Sequence, residues 1–335
     1  MSFNSKGIVI VSLLIASLFV SCSKKSYYQI QGATMGTYYH ITFESERSKG
    51  VQEAIDEALI AVNNSLSTYI PESTISRINK ASKPIEVDSF FEEVFIAAKE
   101  VFQQTNGAFD PTVMPLVNAW GFGFDTLNHV DSLVIDSLMN YVGFDKVNLH
   151  DGKIIKDNPN IMLDFSAIAK GYGVDVIAEL LESFGIENYM VEIGGEVRVK
   201  GLNPKSIVWR VAIEQPIDNK TKSQVFDKYV SLSNKSIATS GNYRNFYMKQ
   251  GNKIAHTINP KTGYPIINDL LSATVLHDKC MIADAYATAF MVLGSEKSII
   301  VLDKSESLMT YLISREEDND YCTYELLDMI QLISE

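Results

Sequence analysis

The sequence predicts an α+β fold with antiparallel-rich sheets and segregated flanking helices. Between about 186 and 276 short strand-like runs follow one another, separated by turn signals. The strongest helical patterns, at 51–66, from Ser89 to the stop at Gly107, and at 281–294, stand outside that series and do not alternate with it strand by strand. Such segregation indicates α+β, whereas a doubly wound parallel sheet needs regular βα alternation. No internal repeat, low-complexity tract or clean boundary divides the chain, so residues 28–335 read as one domain.

At the N-terminus Lys6 precedes GIVIVSLLIASLFV, an apolar run of 14 residues. That is too short to span a bilayer and fits the core of a signal peptide. It ends in FVSC, with Ser21 directly before Cys22, and this resembles a bacterial lipoprotein signal. On that reading residues 1–21 are removed, Cys22 carries the lipid, 22–27 form a linker, and the protein sits in the cell envelope, anchored on the periplasmic side. A plain secretory peptide or an uncleaved anchor remains open. Loss of Lys6 takes the basic count from 29 to 28 against 41 acidic residues, a formal charge of −13. So acidic a chain is poorly suited to nucleic acid. Cys280 and Cys322 have no CxxC motif or Cys/His cluster beside them, which excludes the usual zinc and iron–sulfur patterns. Both are read as core thiols, with pairing left open.

The structured part begins with YYQIQGATMGTYYHITFES, read as a strand interrupted at Gly32 and Gly36. Next comes a helix with Val51, Ile55, Leu59, Val62 and Leu66 along one face. Ser89 and Glu92 have capping-box spacing and open a helix carrying Phe91, Phe95, Ala98 and Phe102, ended by Gly107. GAFDPTVMPLVNAWGFGF reads as a loop and IMLDF as a short strand. A helix with Ile177, Leu180, Leu181 and Phe184 closes at Gly185. The strand series follows, then the helix from 281, then strands at IIVLD, LMTYLISR and CTYELL.

Four segments have the composition of a chemical site. In DFSAIAKGYGVD, Asp164 precedes a small-residue turn with Lys170 at a helix start, a natural anion site that lacks Walker A spacing. A helix start with a solvated lysine explains the same residues. Gly194 and Gly195 in VEIGGEVRVKG mark either a tight hairpin or a place where a ligand approaches the backbone. His256, one of five histidines, ends a strand before NPKTGYP, while Ser240, Gly241, Tyr243 and Arg244 offer donors nearby in sequence. Finally, Asp284 and Thr288 stand four apart inside the apolar MIADAYATAFMVLG, stacked on one helical face. An ionised carboxylate there needs a cation, donors or water. Oxygen ligands of this kind suit a hard cation such as Mg²⁺; an Asp–Lys pair and a Thr bonded to its own helix are the alternative.

Taken together, in order, these segments resemble the ApbE-type FAD:protein FMN transferases, the periplasmic flavin transferases. The resemblance runs through MGTYYHI, LSTYIPESTISRIN, GAFDPTVMPLVNAWGFG, DFSAIAKGYGVD, VEIGGEVRVKG, IATSGNYRNF, HTINPKTGYP and ADAYATAFMVLG. It implies an enzyme that uses Mg²⁺, takes FAD as substrate, attaches FMN to a threonine hydroxyl of a target protein and releases AMP. By position it implies Asp284, Thr288 and the backbone carbonyl of Ala167 as metal ligands. Flavin contacts would come from Met35, Tyr69, Ala108, Phe109, Asp110, Asp164, Lys170 and Ile258, and the general base from His256. Ala167 departs from the family, which commonly has glycines at Ser166 and Ala167. Implied partners are FAD and subunits of membrane redox pumps or related flavoproteins, whose motif places an Asp several residues before the acceptor Thr. Trp120 could lie over a ring or in the core. A metal-dependent FAD pyrophosphatase and a non-catalytic FAD-binding lipoprotein are the competing readings.

Overall fold

The computed structural model describes residues 25–123, 130–216, 226–242, 246–249, 252–315, 321–326 and 332–333. The leader with Cys22, and Tyr243 with Arg244, lie outside the described residues. The segment read as one interrupted strand is a hairpin, β1 (Ser26–Thr34) against β2 (Thr37–Ser45), with Ser26 opposite Ser45 and Thr34 opposite Thr37. Met35 and Gly36 form its turn, both at positive φ, 50° and 72°. That geometry matches the twist of a two-residue hairpin, and Met35 adopts it despite its side chain.

Helix α1 (Val51–Leu66) buries all five residues of its predicted stripe. It is followed by α2 (Thr74–Lys80), the short β3 (Ile85–Glu86) and α3 (Ser89–Gln104). The cap of α3 is Asp88, one residue before the expected Ser89. Its carboxylate accepts from Phe91 N–H at 3.0 Å and from the hydroxyls of Ser65 and Thr74 at 2.7 and 2.6 Å. A carboxylate favours a helix N-terminus, and this one also ties the three helices together.

The segment expected as a loop contains α4 (Met114–Ala119), with Pro115 in its first turn, where no amide donor is needed. After α5 (Ser132–Met139), β4 (Val147–His150) and β5 (Lys153–Lys156) join β3 in a three-stranded sheet. IMLDF forms no strand. The Asn79 amide accepts from Leu163 N–H at 2.7 Å and donates to Leu163 C=O at 2.8 Å, while Asp164 N–H donates to Pro111 C=O. A single side chain thereby satisfies backbone groups that a neighbouring strand would otherwise satisfy.

Next come α6 (Ala169–Ser183), β6 (Tyr189–Ile193), β7 (Glu196–Lys200), β8 (Trp209–Glu214), β9 (Phe226–Leu232) and β10 (Lys235–Gly241). Ile177 and Leu181 of α6 are buried as expected, but Phe184 is exposed. The chain continues through β11 (Phe246–Lys249), β12 (Asn252–Ala255), β13 (Leu270–His277) and α7 (Cys280–Leu293). The expected strand IIVLD belongs mostly to α8 (Ser295–Leu302), where Ser298 and Leu302, four apart, are buried and Ile300 is exposed. That is a helical period, and it prevails over the β-branched composition. β14 (Met309–Arg315), β15 (Tyr321–Leu326) and β16 (Leu332–Ile333) complete the described elements.

Eight strands form the main sheet in the order β1-β2-β6-β7-β10-β13-β14-β15, every pairing antiparallel. Strand alternation divides its side chains between two layers. Val197, Val199, Ile237 and Leu276 pack with Trp209, Ile213, Val230 and Leu232 of the smaller β16-β9-β8 sheet. On the other face Ile41, Phe43, Val191 and Ile193 meet α1 and α6, and Ala238, Ala273 and Val275 belong to the cluster that includes α7. Cys280 is buried at the start of α7 as expected. Cys322 is exposed on the outer strand β15, not in the core, and both thiols are free.

Candidate active site

A cavity of about 940 Å³ opens where the helical layer meets the ends of β7 and β10. This is within the range of small-molecule sites. Its lining includes Tyr69, Ala108, Phe109, Asp110, Asp164, Ala167, Lys170, His256, Ile258, Asp284 and Thr288, so eleven sequence-predicted residues come together from distant parts of the chain. Met35 does not line it. It sits on the β1–β2 turn, where its methyl group packs close against Gly173 of α6. Trp120 donates to Gly263 C=O at 2.8 Å, packs beside Tyr264 and likewise does not line the cavity.

The charged wall is built by α6, α7 and β7. Asp284 is 2% exposed; its Oδ2 accepts from Gly171 N–H at 3.0 Å and its Oδ1 lies 3.8 Å from Lys170 Nζ. One turn on, the Thr288 hydroxyl pairs with Ser240 Oγ at 3.2 Å across to β10. Lys170 also reaches Glu196 Oε1 at 2.9 Å. Burial opposes the lysine charge, but Asp284 and Glu196 more than offset it and raise the Lys170 pKa above its ordinary value. At Glu196, by contrast, burial prevails and pushes the carboxyl up to about 8 despite Lys170. Its second oxygen, Oε2, is buried and has no hydrogen-bond partner among the described residues.

Among the described residues no three His, Cys, Asp or Glu side chains group to hold a metal. The donors available to a cation are therefore oxygens of mixed type, the Asp284 carboxylate, the Thr288 hydroxyl and the Ala167 carbonyl. Such a partial set fits a hard ion that completes its shell with water and phosphate oxygens, and fits zinc poorly.

The uncharged walls position the rest. Asp110 spends its carboxylate on the fold, with Oδ1 accepting from the Thr112 N–H and hydroxyl and Oδ2 from Phe144 N–H. What Asp110 offers a ligand is mainly the backbone of the turn it stabilises. Asp164 accepts from Ser166 N–H at 2.9 Å, and burial pushes its carboxyl up against that bond. Tyr69 stands at the rim, 78% exposed. His256 meets the edge of Phe122 at 6.3 Å between ring centroids, and Phe122 in turn packs on Tyr247 at 5.2 Å. Gly194 and Gly195 serve both purposes left open by the sequence: they turn β6 into β7 with φ of 63° and 106°, and they line the cavity. A Cβ at Gly194 would lie 2.8 Å from the Thr37 side chain.

Two residues passed over in the sequence are central to the site. Glu196 follows the glycine pair; its signal was a carboxylate on a strand whose valines face the opposite layer. Asn79, the last residue of LSTYIPESTISRIN, braces the backbone that leads to Asp164. Nothing in its local spacing revealed that role.

Comparisons with known proteins agree on one group. The model of the ApbE family matches residues 35–313. The FAD:protein FMN transferase of Vibrio cholerae is 38% identical over 320 residues, covering 92% of this chain and 94% of that protein. That of Haemophilus influenzae is 38% identical over 329 residues, covering 94% of each. Among solved structures, the flavin transferase ApbE from Vibrio cholerae superposes with a TM-score of 0.82 at 37% identity, covering 90% of this chain and 97% of that one. The apo flavinyl transferase ApbE of Pseudomonas stutzeri gives 0.81 at 28% identity, covering 91% and 96%.

Proposed function

The chain belongs to the ApbE family, and from that premise we propose that it transfers FMN from FAD to a protein, with a threonine hydroxyl as acceptor, Mg²⁺ as the metal and AMP as the second product. The observation that carries the reading is the meeting of Asp284, Thr288, Ala167 and Lys170 in one cavity with His256. Magnesium held by Asp284, Thr288 and the Ala167 carbonyl would supply charge neutralisation on the pyrophosphate.

The remaining chemistry falls to the chain's own side chains. Lys170, kept charged by Asp284 and held by Glu196, adds a second positive centre beside the phosphates. The acceptor oxygen attacks the phosphorus of the FMN half. A P–O bond forms as the P–O bond to AMP breaks, and the hydroxyl proton passes to a His256 ring nitrogen. Phe122, steeply inclined to the imidazole plane, restrains its orientation. Phe109, Ile258 and Tyr69 give apolar surface to the flavin.

The same reading anchors the protein to a membrane through lipid on Cys22, supported by the short apolar leader and the Ser21–Cys22 junction. No helix among the described residues is long and apolar enough to cross a membrane. Labelling with a fatty-acid probe, lost in Cys22→Ala, tests the anchor.

The function is tested by mixing the protein with FAD, Mg²⁺ and an acceptor protein, followed by intact mass and nucleotide analysis. The expected result is a flavin adduct on a threonine with stoichiometric AMP, both abolished by chelator. AMP and free FMN without adduct across several acceptors would make the protein a pyrophosphatase. Bound but uncleaved FAD would make it a carrier.

A further inference from the structure

The two helices that carry the charged wall lack caps of their own. Ile168 precedes α6 and Lys279 precedes α7, and neither side chain caps its helix. Each start is met instead by a carboxylate from the other helix. Asp284, in the second turn of α7, accepts from Gly171 N–H of α6 at 3.0 Å. Asp175, in the second turn of α6, accepts from Cys280 N–H and Met281 N–H of α7, one on each oxygen and both at 2.9 Å. Free amides and the positive end of the dipole favour a carboxylate at either place.

Strand β7 closes both contacts. Glu196 and Arg198, two apart and so on one face of the strand, pair with Lys170 at 2.9 Å and with Asp175 at 2.7 Å. The helices are also in intimate contact, since a Cβ on Gly171 would lie 2.5 Å from Cys280 O. Asp284 follows the capped amide of Cys280 by four residues, one helical turn.

We infer that Asp175 and Arg198 are positioning residues for the flavin reaction, fixing the height of α7 against α6 and hence the spacing of Asp284 and Thr288 from Lys170. The inference rests on the proposed function for what that spacing serves. Neither residue lines the cavity, so their effect reaches the ligand through the backbone.

Asp175→Asn keeps the side-chain shape but turns an NH₂ toward a backbone N–H or the Arg198 guanidinium. Flavin fluorescence with Mg²⁺ titrated in, initial rates of AMP release and thermal melts are measured on the parent and the variant. The Mg²⁺ concentration at half-saturation is expected to rise roughly 10- to 100-fold, as for other residues that hold a metal's ligands from behind, with kcat reduced. FAD affinity in chelator should change little. Arg198→Gln should shift the same quantities in the same direction, and Arg198→Lys, which restores a cation opposite Asp175, should recover most of the loss. If Asp175→Asn fails to fold, Arg198→Gln carries the test, because both backbone caps remain. A lower melting temperature with half-saturating Mg²⁺ and kcat at parent values would reduce the pair to fold stabilisers and overturn the inference. A parent protein that neither binds FAD nor transfers FMN would overturn the functional reading, and this inference with it.

Discussion

Replacing Lys170 with methionine removes the cation that reaches both Glu196 and Asp284 and keeps most of the side-chain volume. Glu196 and Asp284, whose side chains are 6% and 3% exposed, then lose the cation that both contact. Breaking a buried pair from one side costs roughly 3–5 kcal/mol. In a chain of this size each kcal/mol lowers the melting temperature by roughly 1.5 °C, so a fall of about 5–8 °C is expected at neutral pH. The pH dependence follows from Glu196, whose pKa is raised from 4.5 to about 8 in the fold. A raised folded value gives stability that is fully present below the unfolded value and lost as pH climbs through the folded one. The parent should therefore lose stability between about pH 4.5 and 8 from this group. Without the lysine the carboxyl holds its proton to still higher pH, so the variant's deficit should be nearly constant between about pH 5 and 7 and grow as pH rises from about 8 to 9. Calorimetry of both proteins across that range, with Lys170→Arg as the charge-retaining control, measures it. A deficit independent of pH, or larger at pH 5, would refute the assignment of the lysine as countercharge.

Asp284→Ala should abolish Mg²⁺-dependent FAD cleavage, and unchanged AMP release from FAD would remove the metal assignment. His256→Ala should leave FAD binding near the parent value while transfer slows by roughly 10²- to 10⁴-fold; lost binding would make the histidine a positioning group. Gly171→Ala should cost roughly 1–3 kcal/mol by overpacking the α6–α7 contact, read from denaturant melts. Wild-type stability there would mean the helices separate freely.

Much of the fold was legible where one period dominated. The α1 stripe reads directly from five residues at helical spacing, and the alternating strands from 189 to 276 were all recognisable. The sequence misled where local composition disagreed with packing. IIVLD has the residues of a strand, but burial of Ser298 and Leu302 selects a helix. IMLDF looked like a strand because it is apolar and extended, yet its backbone is satisfied by Asn79, 84 residues away. In the site, Asp284 and Thr288 were visible because an acid inside an apolar helix demands a partner. Which partner was not visible, since Lys170 and Glu196 come from different elements. Met35, expected at the flavin, sits on the β1–β2 turn and does not line the cavity, a place that no local pattern around it revealed.

The direction of the β1–β2 hairpin has a consequence for reach. Its turn end lies beside the cavity, with Gly194 N–H donating to Tyr38 C=O at 3.0 Å, whereas Ser26 begins β1 at the opposite end of the sheet. Nine strand residues, at roughly 3.3 Å each, separate the two by about 30 Å. Under the lipid-anchor proposal, the tether therefore leaves the molecule on the side remote from the chemistry. On that proposal the catalytic cavity would stand roughly 30 Å farther from the anchor than the first strand residue does. Acceptor threonines would be selected by their height over the membrane as well as by the residues around them.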